Sequence, residues 1–146
     1  MNIKKILDTL HEEIKLNGVD INRLNAQDLE ALKSFLNTSS LIVWVNDFQN
    51  MNPTFINLAG KDYYGYSNEQ LKQLGFSLYK DLIHPDHFKD VHNTMTFFTN
   101  SPSETFVHPY KVKTRSVGWK WTYTASKALN YSKEGIPKLI LAVVFD

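Results

Sequence analysis

No cysteine occurs anywhere in the 146 residues. That single absence excludes disulfides, thiol nucleophiles, cysteine-ligated zinc and flavin–thiol photochemistry. A charge of one sign is missing too. Lys and Arg number 16 against 15 Asp and Glu, which leaves no electrostatic reason to expect a nucleic-acid or membrane partner. No apolar run reaches the roughly 20 residues that a spanning helix needs. The opening MNIKKILDTL is amphipathic, with acids close behind it, and lacks the apolar core of a signal peptide. A cytoplasmic location is the expectation. Gly-rich phosphate loops, His-Glu-x-x-His and Gly-x-Ser-x-Gly are also absent, so the common signatures of phosphate, zinc and serine chemistry find no footing.

What is present has the makeup of a soluble globular domain, 42% hydrophobic and 21% charged, long enough to bury one core and carry a short appendage. Across residues 2–17, Ile3, Ile6, Leu7, Leu10 and Ile14 recur at helical spacing, with Gly18 as a stop. A second helix opens at Asn25, with Asp28 completing a capping box, and carries the stripe Leu29, Leu32, Phe35 and Leu36. This helical segment, residues 1–39, is expected to serve packing or dimerisation. Residues 40–146 form the main domain.

Ser40–Asp47 reads as a strand. After a turn and a brief second strand, Pro53 sits where a helix can begin, with Phe55, Leu58 and Ala59 as its buried side. Ser67 and Gln70 make a second capping box, and Gly75 ends that helix. A longer helix is expected over Pro85–Phe98. The period then changes to two. Phe106, His108, Tyr110 and Val112 share one face of a strand that Pro109 assigns to a sheet edge. Trp119, Trp121, Tyr123 and Ala125 alternate with Lys120, Thr122, Thr124 and Ser126 in the next. The last run, Lys138–Phe145, is apolar on both faces and so belongs mid-sheet.

With those elements in place, Asn52-Pro53, Gly65-Tyr66-Ser67 with Leu71, His84-Pro85-Asp86, Tyr110-Lys111, Lys120-Trp121 and a closing Asp146 resemble the motif series of a PAS domain over residues 40–146. Lys111 departs from the usual arginine, and Ser116-Val117-Gly118 stands where an Asp-Gly turn is common. The resemblance implies an α+β fold: a five-stranded antiparallel sheet in the order 2-1-5-4-3 with helices on one face. It also implies a sensory or interaction module rather than an enzyme. The implied setting is the N-terminal input part of a transcriptional regulator, with a helix-turn-helix or histidine-kinase effector that lies beyond Asp146.

The stretch Leu82–His92 holds three of the five histidines. Metal is excluded there by spacing: His84 precedes a proline and leaves helical geometry, and His87 and His92 lie five apart, on nearly opposite sides of a helix. Most of the stretch reads as a helix start, with His84 or its neighbour as cap, Pro85 first and Asp86 near the positive dipole end. Phe88, Val91, His92 and Met95 form a helical stripe facing the core. By resemblance, His92 also stands where haem-binding PAS sensors carry their iron ligand. Together with Phe106, His108, Tyr110 and Tyr123, the stripe makes up the expected ligand pocket, and a small organic ligand, haem or no ligand at all remain open. A small α+β cone enzyme using His108 or an aspartate as base is the competing class, and it would need a buried carboxylate with a raised pKa. The other face, with Ile42, Trp44, Ile140, Ala142 and Val144, is expected to be covered by an N-terminal helix or by a second subunit in a homodimer. A nucleic-acid stacking platform is set aside because the lysines within the aromatic strand alternate with the aromatics.

Overall fold

In the computed structural model, which describes residues 2–50 and 52–146, the amphipathic opening forms α1 (Ile3–Leu16) and buries Leu7, Leu10 and Ile14. Asn2 caps it by accepting from the Lys5 amide. The second helix, α2 (Ala26–Asn37), starts at the expected capping box between Asn25 and Asp28. Arg23 clamps the Asp28 carboxylate through Nε and Nη2, both at 2.7 Å. That pair, more than any other cause, holds the carboxyl down to about 2.

Five strands follow: β1 (Ile42–Asp47), β2 (Asn52–Ile56), β3 (Phe106–Thr114), β4 (Gly118–Ala128) and β5 (Leu139–Phe145). They make one sheet in the order β2-β1-β5-β4-β3 with every pairing antiparallel. The two-sided apolar strand is central, as its composition requires. Prolines fall in the two edge strands, Pro53 in β2 and Pro109 in β3, where a missing donor costs no ladder bond. The β3–β4 connection closes on Gly118 at φ 76°, where a side chain would be strained.

Pro53 does not start a helix. It sits in β2, and Phe55 is a strand residue buried beneath α1 and α2. The helix α3 (Leu58–Tyr64) begins five residues later, and Leu58 is exposed rather than buried. The signal that sets the true start is Asn57, which sequence reasoning passed over. Its side chain is fully buried; Oδ1 accepts from the amides of Val43 and Gly60, and Nδ2 donates to the carbonyls of Leu36 and Leu41. One amide thus joins the end of α2, the linker after it, β1 and α3. Gly60 must be a glycine, since a Cβ there would stand 2.4 Å from Ile56 Cγ1.

Beyond α3 come α4 (Asn68–Leu74), with the Ser67–Gln70 capping box in place, then α5 (Leu78–Leu82) and α6 (Lys89–Asn100). Helices cover both faces of the sheet. Under α1 and α2 lie Val43, Val45, Leu141, Val143 and Ala125. Under α3–α6 lie Trp44, Ala142 and Val144, with Ile42 beside them. The faces are therefore the reverse of the expectation for Ile42, Trp44, Ile140, Ala142 and Val144. Strands that are apolar in both parities carry no sign of which side is which. A cover of N-terminal helices exists, but on the opposite parity.

Candidate functional site

The floor of the α3–α6 face explains the one enclosed space on that side. Across the sheet, the β1–β5–β4–β3 register aligns Trp44, Ala142, Ser126 and Phe106 in one row, and Ile42, Val144, Thr124 and His108 in the next. The middle of each row is small. Large side chains at the sides hold the helices up while Ala142, Ser126 and Thr124 fail to fill the centre, leaving a hollow of about 110 Å³. Its roof is Val91, Thr94 and Met95 of α6 with Leu82 and Ile83, and its ends are Tyr64, Tyr79 and Tyr110.

Polar groups in this wall are largely matched to one another. Tyr79 donates to Asn46 Oδ1 at 2.8 Å, and the Tyr110 and Thr94 hydroxyls pair at 2.9 Å. Burial pushes the Tyr110 phenol up to about 12 and drives those of Tyr64 and Tyr79 higher still, so all three stay neutral. The Asp47 carboxylate is spent on its own turn, accepting from Gln49 and from the backbone and side chain of Asn50. Thr124 and Ser126 also border the hollow, and no hydrogen bond joins either hydroxyl to another described residue. A largely apolar wall whose carboxylate is already engaged, with two hydroxyls in its floor, suits a small neutral molecule.

Of the residues expected to form a pocket, Val91, Met95 and Tyr110 line the hollow. The others stand elsewhere. Residues Pro85–His87 form a 3₁₀ turn, with His84 as cap accepting from the Asp86 amide, and α6 proper starts at Lys89. Three residues per turn instead of 3.6 shifts the helical phase. The inward stripe becomes Val91, Thr94, Met95 and Phe98, and His92 is exposed. Phe88 is half-buried against Phe76, outside the hollow. Phe106 packs on Phe97. Tyr123 lies on the opposite face and is 54% exposed, because β4 turns Thr122, Thr124 and Ser126 inward and its aromatics outward.

Haem does not fit. His92 faces away from the hollow, and about 110 Å³ is less than the roughly 150 Å³ of a cavity that accepts benzene. His108 sits at the rim, stacked on Phe106, with Nε2 3.1 Å from Asp90 Oδ2. Burial works to raise the Asp90 carboxyl, but hydrogen bonds and charge from His108 and His87 outweigh it and hold the group below its ordinary value. An acid–base enzyme would need the opposite shift. Among the described residues no group of three or more His, Asp or Glu side chains is placed to hold a metal ion, and no helix is long and apolar enough to cross a membrane.

Residues 53–144 match the family model described as PAS fold. Among curated proteins no sequence matches significantly. Solved structures do. A PAS domain from Colwellia psychrerythraea aligns at a TM-score of 0.63 with 15% identity, covering 81% of this chain and 95% of that one. A domain of a sensory box sensor histidine kinase/response regulator from Geobacter sulfurreducens aligns at 0.59 with 14% identity, covering 84% and 98%. The N-terminal domain of a diguanylate cyclase with PAS/PAC sensor from Marinobacter aquaeolei aligns at 0.56 with 15% identity, covering 73% and 94%.

Proposed function

The chain belongs to the PAS fold family, and on that footing we propose that it is a sensory module whose input is a small uncharged organic molecule in the hollow under α6. The observation that carries this reading is the hollow itself, with the unpartnered hydroxyls of Thr124 and Ser126 in an otherwise apolar floor. A hollow of about 110 Å³ that side chains leave unfilled forgoes roughly 2–3 kcal/mol of packing. A ligand that fills it recovers part of that packing and hydrogen-bonds the two hydroxyls. The size admits a ligand of a few heavy atoms, such as a short alcohol or ketone.

The ligand would act by preferring one packing of α6 and β5 over another, and only that difference in affinity can shift the equilibrium. The recipient would be an effector of helix-turn-helix or histidine-kinase type, in a cytoplasmic homodimer, as the family resemblance suggests. Thermal melts with a panel of short neutral alcohols and ketones test the binding step. A ligand at about 100 times its Kd stabilises by roughly 2.7 kcal/mol, and the shift should vanish in Ser126→Leu, which fills the floor. If no member of the panel raises Tm, or if Ser126→Leu responds as strongly as wild type, the reading fails.

A further inference from the structure

The outer face of the β3–β4 hairpin lies beyond the cover of α1 and α2. Trp119, Trp121 and Tyr123 project from it, 41%, 54% and 54% exposed, and Val107 is exposed beside them. Lysines within β4 do alternate to the other face, but the neighbouring strand supplies its own. The register sets Lys111 opposite Trp121 and Lys113 opposite Trp119, on the same face. The result is a two-strand ladder of indoles and ammonium groups.

Neither lysine has an ion-pair partner among the described residues; Asp8 pairs with Lys127 at 3.1 Å, Asp146 with Lys120 at 2.6 Å and Asp90 with His108 at 3.1 Å, and Asp86 lies 3.6 Å from His84 Nδ1. The indoles are also braced. His84 meets Trp119 edge-on at 4.9 Å, and His87 meets Trp121 at 4.8 Å, which limits the side-chain entropy that docking would remove. Exposed, braced tryptophans beside unpaired cations are the composition of an interaction hot spot.

Size and charge select the occupant. From Val107 to Lys113 the face runs roughly 20 Å and is two strands wide, far short of the roughly 800 Å² per partner in a stable complex. A second copy docked face to face about a two-fold axis would gather four ammonium groups into one small patch. On this face a nucleic acid would find the two lysines Lys111 and Lys113, on a chain of net charge +1, too few phosphate contacts for useful affinity. We propose that this face docks a short acidic segment of a partner protein, with carboxylates on Lys111 and Lys113 and apolar side chains between Trp119 and Trp121.

The test uses the full chain and an octapeptide alternating glutamate and leucine, read by indole N–H shifts of Trp119 and Trp121. Controls are the lysine–leucine counterpart and a single-stranded oligothymidylate. The acidic peptide should bind in the micromolar to millimolar range, weaken several-fold between about 50 and about 500 mM salt, and lose at least tenfold in the double variant Lys111→Glu, Lys113→Glu. Trp121→Ala should lose as much, with an unchanged thermal melt showing that each variant is folded. The proposal is overturned if the acidic peptide fails to bind up to about 1 mM, if the basic peptide or oligothymidylate binds as well, or if the chain is a dimer that Trp121→Ala dissociates. None of these outcomes touches the hollow, which lies on the opposite face.

Discussion

Val143 and Val144 are neighbours on β5, yet they live in different interiors. Val143 is fully buried among Leu7, Leu10, Ile14, Val43 and Leu141, in an aliphatic layer closed by α1 and α2. Val144 faces α3–α6 and borders the hollow with Trp44, Tyr110, Thr124 and Ala142. Both sides draw on the same strands. One is lined mainly by branched aliphatic side chains from two long helices and leaves its own space of about 110 Å³ beside Leu29, Leu32, Val45 and Phe55, near the β2 edge. The other is propped open by aromatics over small floor residues, and its space of about 110 Å³ lies at the middle of the sheet with hydroxyls in its floor.

The strongest way to break this contrast is to remove what holds both layers to β1. Asn57→Ala removes four hydrogen bonds to the backbone of Leu36, Leu41, Val43 and Gly60 and is expected to cost roughly 3–5 kcal/mol, read as a lower denaturant midpoint at constant m. Sharper is the pair Val143→Ala and Val144→Ala. The first should cost about 2–3 kcal/mol and the second about 1 kcal/mol, since its methyls already lack neighbours on one side. Equal costs would show that the hollow collapses in solution. Smaller again, Thr124→Val with Ser126→Ala should change stability by less than about 1 kcal/mol while abolishing any ligand-induced rise in Tm.

The smallest effect concerns the α1 side and pH. His11 of α1 is buried, and its Nε2 has no hydrogen-bond partner among the described residues. Burial first, then Lys127 and Lys15, lowers its pKa below the ordinary 6.5. Because the unfolded chain then binds a proton more readily than the folded one, stability should fall as pH drops below about 6.5 and level off beneath the folded value. Comparing melts of wild type and His11→Leu across pH 5–8 isolates the effect, and identical pH slopes would remove it.

Much of this fold was legible in the sequence because the relevant signals are local. The capping boxes at Asn25 and Ser67, the period of two after Thr105 and the two-sided apolar β5 each act through neighbours a few residues apart. The site was less legible. Val91, Met95 and Tyr110 follow from helix or strand periodicity. His92 was misplaced because a single 3₁₀ turn, invisible in composition, rotated α6. Tyr123 was misplaced because aromatic bulk suggested burial where register decided otherwise. Thr124 and Ser126 gave no signal, since small polar residues on a strand are ordinary.

The order of the residues alone determined most element types, the central place of Leu139–Phe145 and the edge place of Pro109, because side-chain period and missing donors are properties of a few consecutive residues. Which side of the sheet each parity faces, where the hollow lies, and that Lys111 stands beside Trp121 were decided only when strands far apart in the chain came into register. Those outcomes depend on pairs of residues whose contact no local energy term encodes.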